Sequence, residues 1–277
     1  MNPVKQIAAV LAFLCAFNLN AQTPSAKTPF TFAVMTDVQY ADKDQWKVRH
    51  YRDSLQRLDE CVADLNQKKP AFTIHLGDII DGYPGDIARS AQDLDKVLQI
   101  YNRLSMPHYH VIGNHCVMAN RDSLLEKYGL KKAYYDFTVP GAAGWRFVVL
   151  NGVQAGNGVL GKEQINWLCT LLRQAAVKRE KVICFCHFAP DKPLLKDIDE
   201  VLRTAEETGC VAAWFSGHVH TGGYFFANGI HQVTVRGMVE SSSRNAYALI
   251  EILPDRLRET GIGEEPSREL PLKKPRS

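Results

Sequence analysis

An α/β fold, with β-sheets covered by helices, follows from three features of this 277-residue chain. Short apolar runs of about five residues recur, the length of a buried strand. Between them lie segments whose apolar residues return every three or four positions, the period of a helix with one buried face. The two patterns alternate from Thr31 to Leu253, so the helices are layered against the sheets that the strands form.

In order, Thr31–Met35 reads as a buried strand, and Arg52–Leu65 as a helix with Leu55, Leu58, Val62 and Leu65 on one face. Pro70 restarts the chain into a strand at Ala71–Leu76. Ala91–Leu104 carries Leu94, Val97, Leu98 and Tyr101 at helical spacing before Pro107 breaks the pattern. His108–Ile112 and Trp145–Leu150 read as strands, Gly161–Ala176 as a helix built on Ile165, Leu168 and Leu172, and Lys181–Cys186 as a strand. A helix at Ile198–Thr208 and a strand at Val211–Phe215 follow. Strand-like runs at Gln232–Val235 and Tyr247–Leu253 complete the set.

Composition supports one sizeable core: 45% of residues are hydrophobic and 23% charged, values of an ordinary globular chain. A net charge of +3 is too balanced to predict a nucleic-acid partner. Residues 1–21 have the outline of a secretory leader, with Lys5 ahead of an apolar run from Ile7 to Phe17 and a small residue, Ala21, at the cleavage point. That run falls short of the about 20 apolar residues of a membrane span, so export to a periplasmic or extracellular space is expected without a stable anchor. Residues 22–29 read as a linker, 30–262 as the folded domain and the charged, proline-bearing 263–277 as a loose tail. Six cysteines follow the leader, at Cys61, Cys116, Cys169, Cys184, Cys186 and Cys210. Their spacing forms no small-domain disulfide framework, and mostly buried free thiols are expected, with a disulfide left open because an exported chain could pair them.

The chemistry lies at the strand ends. The first strand exits into Asp37 and Gln39, the second into Gly77-Asp78 and then Asp81-Gly82, and the third into Gly113-Asn114-His115. A later strand runs into His187, and the next into Gly217-His218-Val219-His220. Each residue taken alone has an ordinary reading: an Asp or Asn after a strand caps or turns, and a lone His is usually structural. Together, five strands delivering oxygen and imidazole donors to one sheet edge describe a ligand site, because α/β sheets bind ligands outside the carboxyl ends of their strands. His218 and His220, two apart, share a face of an extended segment.

Mixed oxygen and imidazole donors without paired thiolates suit manganese, iron, zinc or magnesium. The seven donors Asp37, Gln39, Asp78, Asn114, His187, His218 and His220 exceed the four of a tetrahedral zinc site. They suit two ions sharing a carboxylate, about 3.5–4 Å apart, the arrangement for phosphoryl hydrolysis.

In this order the motifs resemble those of the calcineurin-like metallophosphoesterases, from residue 31 to about 221. The resemblance implies a four-layer α/β/β/α double-sheet sandwich. It also implies one ion on Asp37, Gln39, Asp78 and His220, and a second on Asp78, Asn114, His187 and His218. His115 is then the proton donor to the leaving group, with the Asp81 carboxylate orienting it. Two positions depart from the common pattern: Gln39 stands where most of the family has histidine, and Cys116 where most has an acid after Asn-His.

Asp37-Val-Gln-Tyr-Ala-Asp42, Arg49-His-Tyr-Arg-Asp-Ser-Leu55, Gly77-Asp-Ile-Ile-Asp-Gly-Tyr83, Gly217-His-Val-His-Thr-Gly-Gly-Tyr224 and Val235-Arg-Gly-Met-Val-Glu240 resemble more narrowly the manganese-dependent ADP-ribose/CDP-alcohol diphosphatase branch. That likeness implies hydrolysis of the anhydride in a small nucleotide-type substrate. The same fold hosts phosphodiesterases and phosphomonoesterases, and also silent metal-binding relatives, so those remain alternatives. An amide oxygen in place of an imidazole is a harder donor, consistent with manganese. Tyr83 and Tyr224 are candidate base-stacking platforms, and Arg49 and Arg52 candidate phosphate contacts, each equally readable as packing or surface residues. The oligomeric state has no signature in the sequence.

Overall fold

The computed structural model describes residues 29–240 and 244–272. The leader, nearly all of the linker and the last five residues of the expected tail lie outside the described residues.

The chain alternates strand and helix as β1 (Phe30–Met35), α1 (Asp53–Lys68), β2 (Thr73–His75), α2 (Ile87–Tyr101) and β3 (His108–His110). A 3-10 turn at Cys116–Ala119 leads to α3 (Arg121–Lys127) and β4 (Tyr135–Phe137). Then come β5 (Trp145–Val149), α4 (Lys162–Val177), β6 (Lys181–Phe185), α5 (Asp199–Thr208), β7 (Val211–Ser216), β8 (Gly223–Ala227) and β9 (Ile230–Thr234). A second 3-10 turn, Met238–Glu240, precedes β10 (Ala246–Ile252), β11 (Arg256–Gly263) and β12 (Arg268–Pro271).

The strands form two six-stranded sheets, ordered β12-β11-β10-β1-β2-β3 and β4-β5-β6-β7-β9-β8. In the first, β1, β2 and β3 are parallel; in the second, β5, β6, β7 and β9 are parallel. The period of two along each strand builds the layers. In β1, Phe32 and Val34 turn to the core between the sheets, while Ala33 and Met35 turn to the helices. In β6, Ile183 and Phe185 take the inner side and Val182 and Cys184 the outer. Aromatic rings fill the middle: Phe72 lies 4.9 Å from Phe32 in a stack and 4.9 Å from Phe147 edge-on.

The helices close the outer faces with the residues the periodicity picked. Leu58, Val62 and Leu65 of α1, Leu94, Val97 and Leu98 of α2, and Leu168 and Leu172 of α4 are all buried. Each such side chain contributes about 1.5–3 kcal/mol over exposure. The expected four-layer sandwich is the fold observed. Helix α2 starts four residues earlier than its apolar period suggests, because the Asp86 side chain accepts the Arg89 N–H and caps it there.

The C-terminal end corrects the sequence reading. Residues 263–272 are not a loose tail: β12 pairs antiparallel with β11, Leu257 opposite Leu270, and Leu270 is fully buried. Two leucines, Leu270 and Leu272, in a charged stretch are too short a pattern to mark a strand, and their face shows only once the partner strand is known. The cysteines at 61, 116, 169, 184, 186 and 210 are buried free thiols. No helix among the described residues is long and apolar enough to cross a membrane.

Candidate metal centre

The parallel strands deliver their carboxyl ends to one edge of the sandwich, and the turns there are tightly constrained. Asp37, Gln39, Asp78 and His218 all have positive φ, between 39° and 66°. This is a left-handed region that non-glycine residues adopt at a cost of about 1–3 kcal/mol and that clusters at functional sites. Glycine permits close approach between exits. A methyl group on Gly113 would overlap the Asp78 carboxylate and amide, and one on Gly217 would overlap Thr36 and Asp37.

Asp37 and Asp78 are buried, and one oxygen of each is committed to the protein. Asp37 Oδ2 accepts from the Thr36 hydroxyl at 2.6 Å and the His218 N–H at 2.9 Å. Asp78 Oδ1 accepts the His115 N–H at 2.8 Å. The other oxygens face imidazoles: Asp37 Oδ1 lies 3.2 Å from His220 Nε2, and Asp78 Oδ2 lies 3.0 Å from His187 Nε2. His187 Nδ1 donates to the Leu76 carbonyl at 3.0 Å, which fixes its ring. The His187 and His218 rings are 5.1 Å apart. Donor atoms of Asp78, His187 and His218 lie within 4.8 Å of one another. Gln39 Nε2 lies 3.5 Å from Asp78 Oδ2. Asn114 sits between Gly113, which abuts Asp78, and His115, whose amide binds it.

The electrostatics suit a cation. Burial pushes the Asp37 and Asp78 carboxyls up, yet the neighbouring imidazoles bring both below the usual carboxylate range. Burial pushes His187 down, and the Asp78 carboxylate overcomes it to about 9. His220 is raised likewise, against burial, by Asp37 and Glu240. Two buried carboxylates thus draw positive charge into the space between the sheets' ends.

The residues fit divalent ions on a second count. Gln39 Oε1 and Asn114 Oδ1 are buried without a hydrogen-bond partner, an arrangement that costs about 1–3 kcal/mol per group unless something satisfies it, while Asp37 Oδ1 and His187 Nε2 have only their ion-pair contacts with His220 and Asp78. All four belong to the donor set read from the strand exits, and three are hard oxygens.

His115 stands beside this cluster, about a quarter exposed. Its Nδ1 donates to the Asp81 main-chain carbonyl at 2.7 Å, a closer contact than the one it makes with the Asp81 carboxylate expected to orient it. The Asp81 carboxylate is 3.4 Å away and is held by Lys43, whose ammonium also lies 4.5 Å from the Tyr51 ring centre.

Of the four candidate substrate contacts, Arg49 is placed beside the cluster, 3.6 Å from Glu240. Arg52 is bound to Asp42 and Asp44 at 2.7 Å each. The hydroxyl of Tyr83 donates to Asp93, and Arg89 covers its ring at 3.9 Å. Tyr224 lies on the edge strand β8 with its hydroxyl on His231 Nδ1. Sequence reasoning missed Thr36, Lys43 and Glu240 as site neighbours. Of these, Glu240 alone stood inside a stretch singled out above, and nothing in its spacing marked it.

The calcineurin-like phosphoesterase profile matches residues 30–222. A manganese-dependent ADP-ribose/CDP-alcohol diphosphatase of Oryza sativa subsp. japonica is 31% identical, over 84% of this chain and 91% of that protein. The Homo sapiens protein of the same name is 26% identical, over 94% of this chain and 98% of its own. A solved dimetal phosphatase from Danio rerio superposes with a TM-score of 0.78 at 23% identity, covering 89% of this chain and 100% of its own. With the matched motifs lying on the strand exits that build this cluster, the chain belongs to the calcineurin-like phosphoesterase family.

Proposed function

We propose that this protein is a manganese-dependent phosphohydrolase that cleaves the anhydride bond of nucleoside diphosphate derivatives of the ADP-ribose and CDP-alcohol type. The observation that carries this reading is the convergence of the buried donors on one edge of the sandwich, with the Gln39 and Asn114 amide oxygens left without a partner among them. Likeness to diphosphatases along most of the chain supports the substrate class.

Asp37, Gln39, Asp78 and His220 would hold one ion, and Asp78, Asn114, His187 and His218 would hold the other. When bound, such ions neutralise charge on the phosphoryl oxygens and make water a stronger nucleophile near neutral pH. The protein's own part is positional. The hydrogen bonds from Thr36 and the His218 amide to Asp37, and from the His115 amide to Asp78, fix the carboxylates before substrate arrives. His115, anchored through Nδ1, has its Nε2 left to pass a proton to the departing phosphate oxygen. Water adds to phosphorus, the bridging P–O bond breaks, and a nucleoside monophosphate and a second phosphate ester leave.

The test is turnover of ADP-ribose, CDP-choline, a cyclic nucleotide and p-nitrophenyl phosphate by manganese-loaded protein. Preference for the first two is expected; turnover of the monoester alone overturns the diphosphatase reading. Export, which rests on the leader, belongs to the same proposal. Sequencing of the mature protein from its native host should find Gln22 first.

A further inference from the structure

We propose that Glu240 is a positioning residue that selects which nitrogen His220 offers to the metal centre and that ties Arg49 to the same point. This rests on the ligand assignment above. His220 is 9% exposed and meets a carboxylate on each side, Asp37 Oδ1 at 3.2 Å from Nε2 and Glu240 Oε1 at 2.6 Å from Nδ1. An ionised carboxylate only accepts, so the 2.6 Å contact keeps a proton on Nδ1, and Nε2, at the longer 3.2 Å from Asp37, is the nitrogen that a metal ion would take. A carboxylate behind a ligating imidazole both fixes its ring and makes it a stronger donor.

The segment bearing Glu240 is built to hold that contact. Gly237 N–H donates to the His220 carbonyl at 3.0 Å, Met238 N–H to Thr36 at 3.1 Å and Val239 N–H to Asp37 at 3.0 Å. The 3-10 turn is thus bonded to the two exits it serves. From its other side, His50 N–H donates to the Val239 carbonyl at 2.8 Å and Arg57 Nη1 to the Met238 carbonyl at 3.0 Å. Gly237 lies against the His220 ring so closely that a methyl group there would come within 2.9 Å of Cγ. The turn therefore holds the ring by contact and its nitrogen by hydrogen bond. The same Glu240 oxygen stands 3.6 Å from Arg49 Nε, and that guanidinium lies 6.0 Å from the Trp46 ring centre. One carboxylate therefore links an imidazole of the cluster to a cation beside it.

Calorimetric titration with manganese and imidazole ¹⁵N–¹H spectra of the metal-free protein test this on the full folded domain. In the wild type, two binding steps and a strongly downfield Nδ1 proton on His220 are expected. Glu240→Ala should weaken one step by about 10–100-fold, spare the other and abolish the downfield signal. Glu240→Gln, whose amide oxygen still accepts from Nδ1, should recover most of the affinity. At saturating manganese its turnover should exceed that of Glu240→Ala. Wild-type isotherms and an unchanged His220 signal in both variants overturn the role. If Glu240→Ala does not fold, Glu240→Gln and the wild-type spectrum still decide it. A wild type that binds no manganese refutes the ligand assignment, whereas the absence of the downfield proton refutes the Glu240 pairing itself.

Discussion

At the site, single residues divide into those that hold charge and those that move a proton, and substitution should separate them. Asp78 offers one oxygen to the His115 amide, and its other oxygen lies 3.0 Å from His187 Nε2 and 3.5 Å from Gln39 Nε2, one residue from each of the two proposed ligand groups. Asp78→Asn should reduce bound manganese from two equivalents to one or fewer, read by elemental analysis after gel filtration; two retained equivalents would contradict its shared role. His115→Ala removes no donor of the set. Its kcat should fall by about 10²–10⁴ with manganese content unchanged, the usual worth of a general acid. The loss should be smaller on a diphosphate than on an alkyl phosphoester, because a departing phosphate needs the proton less. Equal losses on both would show that His115 serves binding instead. Gln39→His restores the commoner ligand of the family, and competition dialysis should find its preference moved from manganese toward zinc.

One step up, what the strand exits share is close approach. β1, β2 and β3 run parallel in one sheet and β6 and β7 in the other, and their ends interlock through main chain as much as through side chains: Asp37 N–H donates to Gly77 O at 3.1 Å and Gln39 N–H to Asp78 O at 2.9 Å. Gly113→Ala would drive a methyl group into Asp78. It should cost about 1–3 kcal/mol of stability, as overpacking does, and lower manganese affinity although it touches no assigned ligand. Chemical denaturation with a parallel metal titration would show both, and a stable variant with wild-type affinity would mean the exits are looser than drawn. This is also where sequence reading succeeds and stops. Apolar period marked β1, α1, α4 and β6, and the polar residue after each short run marked the donors, because a strand end must stop being apolar where it meets a ligand. What spacing cannot show is which loop folds back. Glu240 follows His220 by twenty residues, and Lys43 reaches Asp81 across a different exit. Likewise β12 owes its place to cross-strand pairing, not to its own pattern, and Arg52, attractive beside Arg49 in the chain, is turned to Asp42 and Asp44 by helix α1's start.

For the molecule as a whole, the ring-filled layer between the sheets extends to an edge closed by β11 and β12, where Arg268 answers two buried acids at once. Its Nη1 lies 2.7 Å from Glu259 and 2.8 Å from Glu265, and the Glu259 Oε1 atom has no partner. Glu265 also accepts the Arg236 N–H at 2.6 Å, so this edge is joined to the segment that leads to Gly237. Burial pushes the Glu259 carboxyl up to about 7, against the pull of Arg268. An acid with a raised folded-state pKa holds its proton more tightly folded than unfolded. Between the unfolded value of 4.5 and about 7 the native state therefore binds more protons, and stability falls as pH rises through that window. The shift corresponds to about 3 kcal/mol lost between pH 4 and pH 8. Glu259→Gln keeps an acceptor for Arg268 and removes the ionisation, so its denaturation free energy should decline less over that range. Measuring both proteins under chelator at each pH cancels every other titrating group that the two share. Parallel pH profiles would show that Arg268 fully compensates Glu259, and that β12 closes the sandwich without any cost from its buried acids.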